Sequence, residues 1–407
     1  MKPAHPILPG ATLGVFGGGQ LGRMFVMAAA RMGYRTLVFS PEKDSPAGQV
    51  ACEQITAEYE DESAIRDFAA RCAAITIEFE NIPARTLELA SSITITRPGP
   101  DVLAIAQDRL RERAFLDRFG FPCAPHAIAR SAAEAEQAVA GLGAPVVLKS
   151  ARFGYDGRGQ ARVDRAADVG AAWNSLSADE VLCEGWVNYQ CELSVLVSRS
   201  ATGQIELFGP IENRHANHIL DLSVVPAAVP AATARDATEL ARAIATALDL
   251  VGVICVEMFL TTSGDLLVNE LAPRPHNSGH LTIEAAAHSQ FEQQVRALCA
   301  LPLAPMTLKS PAAMANLLGD LWRTGEPRWD RVFAEPSVSL HLYGKDGAAP
   351  GRKMGHITAL GSSPQLARRR ALAARDGLLA EPAASVAAGT PRDGRSVTTA
   401  SCGIGRH

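Results

Sequence analysis

Strand and helix patterns alternate through the first hundred residues, and that rhythm restricts the amino-terminal part of the chain to a parallel, doubly wound sheet. "TLGVFG" is a short apolar strand, "QLGRMFVMAAARMG" an amphipathic helix closing at Gly33, and "RTLVFS" a second strand. "ESAIRDFAARC" predicts another helix and "AAITIEF" another strand. "DRLRERAFLDRFGFP" is a charged helix that stops at Gly120 and Pro122. An α+β region follows. "APVVLKS", "ADEVLCEGWV" and "CELSVLVSR" read as strands, and "ARDATELARAIATALDLVG" as a helix. "VICVEMFLTTSGDLLVNELAPRPHNSGH" reads as a β-hairpin running into a loop. Later, "SVSLHLYGKDGAAPGRKMGHITAL" supplies two strands around a basic loop. From about Gly361 the chain turns rich in Ala, Arg, Gly and Ser; part of this stretch reads as helical, and the last twenty or so residues as disordered.

A chain of 407 residues has room for several domains. Its formal charge of -4 disfavours a polyanion partner, so no nucleic acid is expected. No apolar run approaches the ~20 residues that span a bilayer, so no membrane is expected either. The opening "MKPAHPILPGATLGVF" is interrupted by three prolines and does not read as a secretory leader. Eight cysteines are scattered without a C-x-x-C pair, the usage of reduced thiols in a cytoplasmic protein.

"GVFGGGQLGRM" carries the spacing of a dinucleotide fingerprint at Gly17, Gly19 and Gly22. A dinucleotide site also needs an acidic residue at the end of the second strand, and Ser40 and Pro41 stand there. The glycines still suit a phosphate at a helix amino terminus, or a tight turn with no ligand. Gln20 adds a neutral hydrogen-bonding group at that turn.

Lys149 ends a strand and precedes "FGYDGRGQ", the reverse of the order in a P-loop. A glycine loop beside a strand lysine can cover a triphosphate; a glycine-rich hairpin with an exposed lysine is the plainer alternative. The hairpin is more telling. If it turns through a two-residue loop at Ser263–Gly264, Glu257 falls across from Glu270, with Phe259, Leu266 and Val268 on the same face. Facing carboxylates repel unless a cation lies between them, and hard oxygen ligands suit Mg2+. The alternative is two solvated glutamates. "APRPHNSGH" and "GKDGAAPGRKMGH" then supply anion-binding groups on two loops: Arg274, His276, Asn277 and Ser278, and Lys345, Arg352 and Lys353.

Six segments in order, "GGGQLGRM", "EFENIP", "KSARFGYDGRGQ", "EGWVNYQCELS", "NELAPRPHNSGH" and "PGRKMGH", carry a resemblance from about Leu13 to Leu360. The chain resembles the ATP-grasp ligases, and within them the family that carboxylates 5-aminoimidazole ribonucleotide in de novo purine biosynthesis. The resemblance implies an α/β and α+β fold. Residues 1–112 would form a Rossmann-like preATP-grasp domain and residues 113–300 a two-part ATP-grasp domain. A small β-rich C-terminal domain over 301–361 and a divergent, partly disordered tail over 362–407 would follow.

The same resemblance implies a set of ligands for each reactant. Around ATP it places Arg109, Lys149, Gly154, Tyr155, Asp156, Gly157, Arg158, Gly159, Gln160, Glu184, Gly185, Trp186, Val187, Glu192, His215, Asn269 and Glu270. Glu257 and Glu270 would hold Mg2+. Around the ribonucleotide it places Gln20, Glu78, Tyr155, Asp156, Arg158, Arg274, His276, Asn277, Ser278, Lys345, Arg352 and Lys353. Lys149, Tyr155, Asp156, Arg274 and Lys353 would carry catalysis. Bicarbonate would be activated by ATP as carboxyphosphate, and the exocyclic amine would attack that species or the CO2 it releases; the loop Gly154–Gln160 would close as a lid, and the protein would be a homodimer. Past "GHITALG" the family continues with a regular helix and strand, a pattern the Ala/Arg/Gly-rich tail does not match. Three other readings stand beside this one: an ATP-grasp ligase joining formate to glycinamide ribonucleotide, a nicotinamide oxidoreductase, and a silent ATP-binding regulator.

Overall fold

The computed structural model describes residues 5–152 and 159–379. Strands β1 (Thr12–Phe16), β2 (Arg35–Ser40), β3 (Glu53–Thr56), β4 (Ala74–Ile77) and β5 (Ile95–Thr96) form the first sheet. It is parallel, in the order β3-β2-β1-β4-β5. Helices α1 (Gln20–Arg31), α2 (Glu62–Arg71), α3 (Ala84–Ser91) and α4 (Pro100–Ala106) accompany it. Leu13 and Val15 meet Phe25, Val26 and Ala29 of α1 on one face, while Phe16, Phe39 and Phe68 cluster on the other. That is the doubly wound sheet read from the sequence; β3 and β5, short and partly polar, gave no strand pattern. The order reverses between β1 and β4, opening a crevice at their carboxyl ends, where such sheets receive ligands. Gly17 and Glu78 are the residues that follow those two strands.

Helix α5 (Arg109–Phe119) leads out of this unit. The Asp108 side chain caps it, accepting from Leu110 N at 3.0 Å, and Gly120 ends it in the left-handed conformation at φ 68°. Next come β6 (His126–Ala129), α6 (Ala132–Leu142), β7 (Val146–Ser150), β8 (Gln160–Val163), α7 (Val169–Leu176) and β9 (Val181–Gly185). The strands make an antiparallel sheet ordered β6-β9-β7-β8.

An eight-stranded antiparallel sheet completes the molecule. Its elements are β10 (Tyr189–Arg199), β11 (Ile205–Ala216), β12 (Ile219–Val225), α8 (Ala231–Ala247), β13 (Gly252–Thr261) and β14 (Leu266–Ala272). They continue with α9 (Thr282–Ala285), α10 (Gln290–Leu298), β15 (Ala312–Leu318), α11 (Trp329–Phe333), β16 (Val338–Leu342), β17 (Lys353–Leu360) and α12 (Pro364–Gly377). The strand order is β14-β13-β10-β11-β12-β15-β17-β16, so the C-terminal strands extend the central sheet through β12 and β15. Ala237, Ala241, Ile244 and Ala245 form the buried stripe of α8, at helical spacing, against Leu193, Val195 and Val197. Arg97 ties the first unit to α10, donating from Nη1 to the carbonyls of Ala297 and Leu298 at 3.0 and 2.7 Å.

Helix α12 continues the chain past the expected boundary at 361. Ser363 caps it by accepting from Leu366 N at 3.2 Å, with Pro364 in the first turn. Ala367, Ala371 and Ala374 are buried against Ala313, Ala315, Ile357 and Ala359. These small alanines let the helix approach the sheet closely. Among the described residues no helix is long and apolar enough to cross a membrane, and the seven cysteines there are free.

Candidate active site

The β13–β14 hairpin pairs Glu257 with Glu270, as the sequence arithmetic expected, but by a different route. Its loop has three residues, Thr262 to Gly264, with Thr261 N donating to Asp265 O at 2.9 Å and Gly264 at φ 95°. Met258 therefore lies opposite Val268, and a bulge at Asn269 then shifts the register by one. This corrects the assumed face. Val268 and Leu266 pack with Met258 in the core, while Phe259 lines the cleft with Glu257. The bulge also lets consecutive residues, Asn269 and Glu270, both reach that cleft. Enclosure by the cleft walls raises the Glu270 carboxyl, and the neighbouring Glu257 charge raises it further. Two oxygen-bearing groups held against their mutual repulsion fit a hard divalent cation.

The cleft measures about 1170 Å³ and gathers the predicted residues Gln20, Glu78, Arg109, Lys149, Gln160, Glu184, Gly185, Trp186, Val187, Glu192, His215, Glu257, Asn269, Glu270, Arg274, His276, Asn277 and Lys353. The side chain of Asn277, a residue that lines the cleft, has both polar atoms buried without a partner among the described residues.

At its amino-terminal wall the glycine turn holds a carboxylate of the protein itself. Glu78 accepts from Gly19 N at 2.6 Å and from Gly22 N at 2.9 Å. It occupies the place at the start of α1 where a dinucleotide phosphate would sit. A side chain at Gly17 would put its Cβ 2.1 Å from Glu78 Cγ. Burial raises the Glu78 carboxyl, offset in part by those amides and by Lys345 and Arg274.

Lys149 reaches the cleft from β7 and pairs with Glu184 of β9. Glu184 also receives Arg113, from Nε at 3.1 Å and Nη2 at 2.8 Å. Burial alone would raise Glu184; the charges of Lys149 and Arg113 outweigh it and hold the carboxyl at about 2. Arg113 further donates to Asn269 O at 2.7 Å and to Glu112 at 2.7 Å, and Glu112 accepts from Leu271 N at 2.8 Å. Arg113 and Glu112 thus fasten the bulged strand to α5. They gave no motif, being ordinary charges in a charged helix, and only their burial sets them apart. Glu192 pairs with His215 across β10 and β11, and Arg162 stacks over Trp186 at 4.1 Å.

The anion-binding loops hold fewer free cations than expected. Arg274 makes a two-pronged pair with Glu80, Nη2 to Oε1 being 2.9 Å, a partner the sequence reading passed over inside "EFENIP". His276 Nε2 lies 2.6 Å from Glu257 Oε1, and its Nδ1 lies 2.8 Å from Ser278 Oγ. Burial would lower His276, but the charges around it, Glu257 among them, hold it up at about 10. Ser278 is fully buried behind His276, bonded on to Ser194, so it orients the imidazole and does not line the cleft. Arg352 turns into its own loop, donating to Gly347 O at 2.9 Å, and Lys345 and Gly159 also fall outside the cleft lining. Lys345 nonetheless stays close to Glu78 and Arg352. Gly154, Tyr155, Asp156, Gly157 and Arg158, and with them the expected lid, lie outside the described residues.

Comparison with known proteins follows the same division. Residues 10–107 match the ribonucleotide synthetase preATP-grasp domain, 114–291 the ATP-grasp domain, and 312–370 the phosphoribosylaminoimidazole carboxylase C-terminal domain. The chain is 45% identical over 352 residues to the N5-carboxyaminoimidazole ribonucleotide synthase of Bacillus subtilis strain 168, covering 86% of this chain and 92% of that one. It belongs to the N5-carboxyaminoimidazole ribonucleotide synthase family. An N5-carboxyaminoimidazole ribonucleotide synthetase solved with ADP superposes at TM-score 0.86 and 40% identity, covering 92% of this chain and 98% of that one. The Aspergillus clavatus synthase, in complex with ADP and 5-aminoimidazole ribonucleotide, superposes at TM-score 0.82 and 31% identity, covering 90% and 98%. As a member of that synthase family the chain is an ATP-grasp ligase of purine biosynthesis.

Proposed function

We propose that the cleft carboxylates 5-aminoimidazole ribonucleotide with bicarbonate, coupled to cleavage of ATP to ADP and phosphate. ATP-dependent carboxylation is the activity of the family; bicarbonate as carbon source, Mg2+ and the roles of single residues are inferred from the site. The observation that supports it most is the Glu257–Glu270 pair facing the same cleft as Lys149.

Bicarbonate is a weak electrophile. Transfer of the terminal phosphoryl group to one of its oxygens makes carboxyphosphate, whose carbon the exocyclic amine can attack as phosphate departs with the C–O electrons and the amine loses a proton. The protein's part is placement and charge. Lys149 and Arg109 sit where nucleotide phosphates would meet positive charge, and Glu192 and His215 where hydroxyls would find partners. Glu257 and Glu270, with Asn269 beside them, would hold Mg2+, which neutralises phosphate charge and orients the transferred group. Gln20, Glu78, His276 and Asn277 would receive the ribonucleotide, with Lys345 close by for its phosphate. Arg274 and Lys353 border the same space, where carboxyphosphate would need positive charge. Arg274 comes prearranged by Glu80. Tyr155 and Asp156, which lie outside the described residues, would complete the catalytic set. The same reading makes the protein a cytoplasmic homodimer, which light scattering and fractionation test.

The deciding experiment is ADP release with 5-aminoimidazole ribonucleotide, with and without bicarbonate. Release that needs both supports the reading. ADP formed with formate and glycinamide ribonucleotide, or no release at all, overturns it.

A further inference from the structure

Away from the cleft, the end of α5 and the start of β6 bring together three side chains that no step of the carboxylation uses. The ligand atoms of Asp117, Cys123 and His126 all lie within 4.8 Å of one another. His126 Nδ1 lies 3.1 Å from Ala124 O. A carbonyl only accepts, so Nδ1 carries the hydrogen and the neutral ring presents a lone pair at Nε2. That nitrogen faces the carboxylate of Asp117 at 3.2 Å. Two acceptors at hydrogen-bond distance require a cation or a proton between them.

The surroundings favour a metal ion over a proton. Cys123 Sγ lies 3.9 Å from Nδ1 of that ring and belongs to the group whose ligand atoms all fall within 4.8 Å, adding a soft donor to the nitrogen and the oxygen. A tetrahedral zinc centre has N and O ligands at roughly 2.1 Å, which sets its N–O edge at about 3.4 Å, close to the separation seen. A ligating histidine that donates its other N–H to a backbone carbonyl is the usual outer-shell arrangement. The cluster also lies at the carboxyl end of α5, where the helix dipole favours positive charge.

We propose that Asp117, Cys123 and His126 form a site for a borderline-soft divalent cation of the zinc class, with a fourth position open to water. The ion would brace the wall behind the nucleotide. Cys123 bridges to Val268, next to Asn269; His126 pairs with Glu184 across β6 and β9; and α5, which carries Asp117, also carries Arg113.

The probe is Co2+, titrated into the chelator-treated full chain with excess Mg2+ present to fill oxygen sites. One equivalent should give a thiolate-to-cobalt charge-transfer band in the near ultraviolet, bleached by Zn2+. Cys123→Ser should abolish the band. Asp117→Asn, at an exposed position, should weaken binding about tenfold or more. Cys255→Ser should keep it. The absence of any band in the wild type overturns the proposal. So does a band that survives Cys123→Ser, or one that disappears in Cys255→Ser.

Discussion

Glu257 and Glu270 are cross-strand partners because two irregularities cancel: a three-residue loop shifts the hairpin register by one, and the bulge at Asn269 shifts it back. Either alone would turn Glu270 away from the cleft, since a one-residue slip reverses the face of every side chain beyond it. The pair is held in place from behind by α5, through Arg113 on Asn269 O and Glu112 on Leu271 N.

Arg113 is therefore expected to matter for stability before it matters for chemistry. Only 2% of its side chain is accessible, and it is shared between Glu112 and Glu184. Arg113→Met leaves those carboxylates buried with fewer partners, and should cost about 3 kcal/mol in denaturant unfolding. A loss below about 1 kcal/mol would mean the network relaxes without it.

The glycine turn separates strain from ligand loss. Gly17→Ala combines a backbone φ of 108° with a Cβ 2.1 Å from Glu78, and should destabilise by about 2 kcal/mol while raising the KM for the ribonucleotide. Gly120→Ala, at φ 68° with open space around its Cβ, should cost about 1 kcal/mol and leave that KM alone. Equal effects on KM would contradict the placement of Glu78 in the substrate pocket. NADH should bind neither variant nor the wild type, which a fluorescence titration checks.

How much of this could be read from residues alone depends on how local the signal was. The βα alternation and the helix ending at Gly120 were legible because each rests on a few adjacent residues. The Glu257–Glu270 pairing came through although the loop and the bulge were both unseen, since their errors offset. Arg113, Glu112 and Glu80 were not legible: each takes its meaning from a partner far along the chain, as Glu80 does from Arg274. Ser278 and Arg352 read as ligands by motif, and the motif could not show that their side chains are bonded to His276 and to a local loop. Part of the stretch after Gly361 read as helical, but its alanine-rich composition, which also describes unfolded chains, gave α12 no bounds.

Lys345 gives the pH dependence. Burial first, and then the charge of Arg352, lower it to about 8. Below that pH the ammonium is present and attracts a phosphate; above it the group is neutral and the attraction fades. The kcat/KM for 5-aminoimidazole ribonucleotide, which reports the free enzyme, should fall above pH about 8. Lys345→Arg should move that alkaline limb upward, because a guanidinium stays charged there. An unchanged limb would remove Lys345 from phosphate binding.

The most direct test of the metal assignment is the Mg2+ dependence of ADP formation at fixed ATP, compared between the wild type and Glu270→Gln. The substitution keeps shape and removes one negative charge from the pair. It should raise the half-activating Mg2+ concentration about tenfold or more and lower kcat on the order of 100-fold. Superimposable Mg2+ curves with an unchanged kcat would contradict the claim that these two glutamates hold the ion.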